Sequence, residues 1–193
     1  MDEVMLERRA VIASLLAQRP DDLLVVPGLG STTWDLASLG DDDRNFYLWG
    51  AMGGSTMIGL GLALARPDKR VAVITGDGEM LMGIGSLGTI ALQAPRNLAI
   101  VVFDNGRYGE TGGQESHTAR AVDLAGVARA CGFSAVLDVG EERGLRQLAA
   151  RLSGFEELLF ARVRIAPGEP PRVLPERDGV ALKQRFRKAL GAG

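Results

Sequence analysis

Two stretches of this chain, RVAVIT at 70–75 and LAIVVF at 98–103, are apolar without alternation and rich in β-branched residues, and they constrain the fold more than any other feature. A strand with one wet face alternates polar and apolar side chains, so an unbroken run fits a strand covered on both faces, the condition of a parallel sheet. A helical segment at 81–93 lies between them and makes the pair one strand–helix–strand crossover. Weaker signals continue the alternation: a strand at 23–26, a helix at 122–131, a strand at 134–139, a helix at 142–153 and a strand at 157–165. An amphipathic helix is expected at 2–19, with Val4, Met5, Val11, Ile12, Leu15 and Leu16 on one side. A short helix follows the PGLGSTT turn, 46–49 is a further strand candidate, and GGSTMIGLGLALA at 53–65 reads as a helix of small residues suited to close packing on a sheet. The expected class is α/β, a doubly wound, mostly parallel sheet with helices on both faces.

The chain divides into an expected single domain at 1–166 and a tail at 167–193, where a proline-rich extended segment leads to a last helix that packs on the domain or on a partner. No apolar run approaches the ~18 residues of a membrane span. The N-terminus lacks the basic-then-apolar layout of a signal peptide, and a single cysteine, Cys131, permits no intrachain disulfide and no cysteine-ligated cluster, so a cytoplasmic protein is expected. The net charge of -2 gives no general attraction for polyanions. From Ala161 onward eight Lys/Arg face three Asp/Glu, but the interleaved aromatics of a nucleic-acid platform are missing. Neither a membrane nor a nucleic acid is an expected partner.

The chemistry concentrates where the two long strands end. Of 26 glycines, 17 lie between Gly28 and Gly113, a density that brings backbone close to something. RVAVIT runs into Gly76-Asp77-Gly78, and LAIVVF into Asp104-Asn105-Gly106. Parallel neighbours place both C-terminal ends at one edge of the sheet, where open α/β sheets bind ligands, so Asp77 and Asn105 are expected to share a crevice. A carboxylate and an amide oxygen form a hard-oxygen pair, too sparse for Mg2+ alone but sufficient when a diphosphate adds two more oxygens. Gly76 and Gly78 allow a sharp turn that aims the amides of the following helix at such an anion. Either elbow alone would fit an ordinary feature, Asp77 as a helix cap and Asp104-Asn105-Gly106 as a turn. GIGSLG at 83–88 has the GxGxxG spacing of a dinucleotide site, but it begins eight residues beyond Thr75 instead of at the strand's end.

The two elbows together resemble the thiamine diphosphate signature. YLWGAMG at 47–53, GDGEMLMGIGSLGTIALQ from Gly76, FDNGRYGETGGQ from Phe103 and the C-terminal ALKQRFRKALG extend the resemblance over most of the chain, to the β chains of sulfopyruvate and phosphonopyruvate decarboxylases. The resemblance implies the thiamine diphosphate-binding fold, with Mg2+ held by Asp77, Asn105 and the carbonyl of Arg107. It implies that Gly30, Ser31, Gly78 and Glu79 lie along the diphosphate, with Gly76, Tyr108 and Gly109 also at the cofactor. Gly50 would offer its carbonyl to the 4′-amino group, and Met52 would hold the cofactor bent; a gap-filling core methionine is the plain alternative for Met52. Where the family usually has Ser, this chain has Glu79, and like charges repel, so the side chain is expected to point away or to leave the contact to its amide. His117, the only histidine, lies in the glycine-rich stretch 106–118 and is the candidate proton donor of a loop able to close over substrate, or else a surface histidine.

The resemblance further implies a lyase that decarboxylates a 2-oxoacid. The glutamate that activates the cofactor's aminopyrimidine belongs to a separate pyrimidine-binding domain, for which this chain has no room. An α subunit is therefore expected to supply it, within an α2β2 or larger hetero-oligomer. YGETGGQ is also similar to the β chains of 2-oxoacid oxidoreductases, which usually bind an iron–sulfur cluster that one cysteine cannot hold. A cofactor-binding scaffold subunit without catalysis is the remaining alternative.

Overall fold

A computed structural model describes residues 5–191 and builds them in the order α1 (Arg8–Leu16), β1 (Leu23–Pro27), α2 (Ser31–Ala37), α3 (Ser55–Ala65), β2 (Arg70–Gly76), α4 (Asp77–Met82), α5 (Ser86–Gln93) and β3 (Leu98–Asp104). A two-residue hairpin follows, β4 (Arg107–Tyr108) with β5 (Gln114–Glu115), then α6 (Leu124–Cys131), β6 (Ala135–Val139), α7 (Glu142–Leu152), β7 (Leu159–Arg164) and α8 (Gly179–Ala189). The five longer strands form one parallel sheet in the order β1–β2–β3–β7–β6, as the continuous apolar runs require.

Both faces of the sheet are buried, and the period-2 geometry of the strands divides the core. Val25, Ala72, Ile74, Ala99 and Val101 face Ile12 and Leu15 of α1, Leu36 of α2 and Leu145 and Leu148 of α7. Their sequence neighbours Leu24, Val26, Val71, Val73, Ile100 and Val102 face Leu60 of α3, Leu87 and Ile90 of α5 and Leu124 of α6. Burying each large aliphatic side chain contributes about 1.5–3 kcal/mol, so a polar residue at any of these positions would be costly. Among the described residues no helix is long and apolar enough to cross a membrane.

Three expectations change. The first helix starts at Arg8, not at residue 2, because Glu7 caps it by accepting from the amides of Arg9 (3.0 Å) and Ala10 (2.8 Å), while Leu6 bridges to Ile165 beyond β7; residues 2–4 of the expected helix lie outside the described residues. The stretch 46–49 is not a strand: the one bridge to β1, Val25 with Asn45, falls just before it, and Tyr47 and Leu48 then go to opposite clusters. The helix expected at 81–93 is two helices. They part at Gly83–Gly85, where the backbone of Gly53 lies so close to Gly83 that a Cβ would overlap the Gly53 carbonyl. GIGSLG thus marks a close crossing of chain segments away from any strand end.

The tail returns over the molecule. The Trp49 indole N–H donates to the Glu176 carbonyl (2.9 Å), the Arg172 guanidinium lies 4.3 Å from the Trp34 ring, and α8 sends Leu182 into one cluster and Phe186, 5.0 Å from Phe46, into the other.

Candidate functional site

The C-terminal ends of β1, β2 and β3 open into one cleft lined by Ser31, Met52, Gly76, Asp77, Gly78, Glu79, Asn105, Arg107, Tyr108 and Gly109, together with Arg8 and Glu110. The register explains the meeting: Gly76 pairs with Phe103, β2 ends at Gly76 and β3 one residue further on at Asp104, so Asp77 and Asn105, each the first residue past its strand, leave the sheet at the same edge and line one cleft. Ten of the thirteen residues singled out from the sequence line this cleft. Gly30 adjoins it beneath Glu110, Gly50 lies two residues before Met52 without lining it, and His117 stands outside the wall.

Asp77 is buried, and its Oδ2 accepts from the hydroxyls of Ser116 (2.5 Å) and Thr118 (3.0 Å). Burial raises its carboxyl above the usual range, helped by the charge of Asp104 and opposed by the two hydroxyls. The same Thr118 hydroxyl lies 2.7 Å from Asp104 Oδ1, and Asp104 Oδ2 is held by Arg162 Nε at 2.6 Å. Asn105 Oδ1 accepts from the Arg107 amide (2.9 Å), so one short turn fixes both the Asn105 side chain and the Arg107 backbone. The glycine at 78 admits Tyr108: a Cβ there would lie 2.7 Å from the ring. The Tyr108 hydroxyl in turn shares a 2.7 Å hydrogen bond with Nδ1 of His117.

Met52 is 38% exposed in the cleft wall, which removes the core-filling alternative for it. Glu79 points neither outward nor at the anion position. Its side chain is buried, and Oε2 accepts from the Leu29 amide (3.0 Å) and the Thr75 hydroxyl (2.9 Å), while Oε1 is buried with no partner among the described residues. Glu110 lies across the turn before α2, 3.5 Å from the Ser31 hydroxyl, and a Cβ on Gly30 would overlap its carboxylate.

The sequence reading missed four contributors. Ser116 and Thr118 hold Asp77 from 39 and 41 residues away, and nothing local announces that return. Arg162 anchors Asp104 from a neighbouring strand. Arg8 reaches the cleft wall with its guanidinium against buried Asp35 at 2.5 Å; burial pushes the Asp35 carboxyl up, with Arg8 opposing.

Chemically, the cleft offers hard oxygen donors and close backbone. Among the described residues no three acidic, histidine or cysteine side chains converge, so a divalent ion here would draw its remaining oxygens from water or from a bound ligand such as a diphosphate. The donor types present, a carboxylate, an amide oxygen and a backbone carbonyl at one cleft, fit such a metal–diphosphate unit.

Comparison with known proteins agrees with that chemistry. Residues 30–156 match the family model described as thiamine pyrophosphate enzyme, C-terminal TPP binding domain. The chain is 46% identical, over 93% of its length, to phosphonopyruvate decarboxylase of Streptomyces viridochromogenes, of which it covers 45%. It is 37% identical, over 97% of its length, to sulfopyruvate decarboxylase subunit beta of Methanothermobacter thermautotrophicus, of which it covers 97%. The chain therefore spans about half the length of some curated relatives and nearly all of others. Among solved structures, benzoylformate decarboxylase from Polynucleobacter necessarius aligns with a TM-score of 0.74 at 20% identity over 89% of this chain and 35% of that one, a likeness of fold.

Proposed function

The chain belongs to the thiamine pyrophosphate enzyme family through its cofactor-binding domain, and from that membership we propose that it is the β subunit of a cytoplasmic, heteromeric, thiamine diphosphate- and Mg2+-dependent 2-oxoacid decarboxylase. The observation that carries the reading is the meeting of Asp77 and Asn105 in one cleft at the ends of neighbouring parallel strands.

When bound, thiamine diphosphate supplies the electron sink for the charge left as CO2 departs. Asp77, Asn105 and the Arg107 carbonyl would hold Mg2+. Gly30, Ser31, Gly76, Gly78, the Glu79 amide and Gly109 would lie along the diphosphate. Tyr108, backed by Gly78, would close the cleft on one side. Gly50 would offer its carbonyl, and Met52 an apolar support, to the rest of the cofactor. His117 would act through the Tyr108 hydroxyl, holding the 106–118 stretch in place, instead of giving a proton to substrate directly.

The name subunit beta, carried by relatives that this chain covers to 97%, supports a partner subunit, which would bring the activating glutamate. The relatives' names support a 2-oxoacid bearing a second strongly acidic group, a phosphonate or a sulfonate. The test is to purify the chain with its partner subunit and to follow thiamine diphosphate uptake by calorimetry with and without Mg2+, then CO2 release from a series of 2-oxoacids. Magnesium-dependent uptake and turnover by the pair, with no turnover by either chain alone, are expected; no uptake by the pair overturns the reading.

A further inference from the structure

We propose that Glu79 is a positioning residue, a latch that sets the turn from Pro27 to Ser31 on which the anion-binding side of the cleft is built; this rests on the reading that the cleft takes a diphosphate. Glu79 follows the GDG elbow, yet its carboxylate reaches back beneath the end of β1, where Oε2 accepts from the Leu29 amide at 3.0 Å and the Thr75 hydroxyl at 2.9 Å. One acid thereby ties the end of β1 to the end of β2.

The turn is shaped to receive it. Gly28 donates its amide to the Ile74 carbonyl at 2.8 Å, and its own carbonyl accepts from the hydroxyls of Thr32 (3.0 Å) and Thr33 (2.8 Å), which anchors the start of α2. A Cβ on Gly28 would overlap Glu79 Oε2 and come within 2.8 Å of Thr75 Oγ1. Gly28 and Glu79 are therefore a matched pair: the missing side chain at one is the room occupied by the other.

The pair also orients the carboxylate beside an anion site. A buried carboxylate is expensive unless its oxygens are hydrogen-bonded, and the two donors on Oε2 offset part of that cost, while Oε1 has no partner among the described residues. The charge is directed into the turn, and the turn, not the side chain, meets the ligand.

The test combines two measurements on Glu79→Ser, Glu79→Gln, Gly28→Ala and the double variant Gly28→Ala/Glu79→Ser. Thermal unfolding of the full chain reads the latch without any cofactor. Gly28→Ala is expected to lower the melting temperature in the native background and to lose most of that effect when Glu79 is Ser, because the shortened side chain vacates the space and frees the Thr75 hydroxyl to turn away. Thiamine diphosphate binding with Mg2+, measured on the assembled pair of subunits, is expected to weaken about tenfold or more in Glu79→Ser, the loss of a hydrogen-bonded charged group. Turnover at saturating cofactor should change far less, and Glu79→Gln, which keeps an acceptor for Leu29 and Thr75, should restore most of the affinity. Additive effects of Gly28→Ala and Glu79→Ser on unfolding, or native affinity in Glu79→Ser, would overturn the latch. Failure of the unaltered pair to take up cofactor would instead overturn the reading of the cleft, with the unfolding cycle still deciding the Gly28–Glu79 pairing.

Discussion

The two elbows of the cleft are built by opposite means. The one after β2 is buried: Asp77 is 2% exposed and Glu79 8%, and each has its carboxylate engaged by hydroxyls or amides from other parts of the chain. The stretch after β3 is largely exposed from Arg107 to Glu115, and its bonds are mostly internal, such as Gly113 to Tyr108 (2.9 Å) and the Tyr108–His117 pair. Segments with few buried contacts and solvent-exposed hydrogen bonds open at low free energy. The first elbow is therefore a fixed anchor, and the second is a flap that rests on it through Tyr108 at Gly78 and is hydrogen-bonded to it at its end, through Ser116 and Thr118.

The contrast breaks most clearly at Asp77. Asp77→Ala should reduce Mg2+-dependent uptake of thiamine diphosphate by about a hundredfold or more while leaving the circular dichroism spectrum unchanged, since it removes a charged oxygen donor from a pocket that has few. Near-native affinity would show that the anchor is not where the ion sits. Thr118→Val tests the joint: Asp77 and Asp104 lose the one hydroxyl donor they share, and about tenfold weaker binding is expected in the same titration. No change would mean that flap and anchor are independent.

Glu110 gives a smaller effect of the opposite sign. Its carboxylate on the flap lies against Gly30 and Ser31, where the resemblance places a phosphate. Two anions cannot share that position, so Glu110→Gln should tighten cofactor binding by about two- to fivefold at low salt, the range of an exposed charge interaction, and the difference should shrink as salt rises. Weaker binding in Glu110→Gln would place the acid among the groups that help to hold the ligand.

The strand ends and the glycine-rich loop were legible in the sequence, and the contacts that tie them together were not, for a physical reason. β2 and β3 announce themselves by composition, and a strand end fixes where the next two residues go, so Asp77 and Asn105 could be placed from spacing alone. The other features depend on segments distant in sequence. Gly83 packs against Gly53 where the helix breaks, Glu79 turns inward where Gly28 leaves room, and Ser116 meets Asp77 across 39 residues. Arg8 and Asp35 pair across 27 residues in a region whose local pattern is that of an ordinary amphipathic helix. Periodicity carries information about faces; it carries none about which polar side chain will meet another across the fold.

The finest test concerns Ala51, the residue before Met52, which has a φ of 61° although it is not glycine. A left-handed alanine costs about 1–2 kcal/mol, and the Gly54 amide bonded to the Ala51 carbonyl at 2.7 Å helps to hold it there. Ala51→Gly relieves that cost but adds about 0.4–1 kcal/mol of unfolded-state entropy, so a net gain of up to about 1.5 kcal/mol is expected, a rise of a few degrees in melting temperature. If the strained conformation serves to fix Met52 in the cleft wall, the stabilised variant should bind thiamine diphosphate as the native chain does yet turn over more slowly with its partner. Higher stability with native turnover would show that Met52 is placed by its packing alone, and that the strain at Ala51 is only the consequence of closing a tight turn before α3.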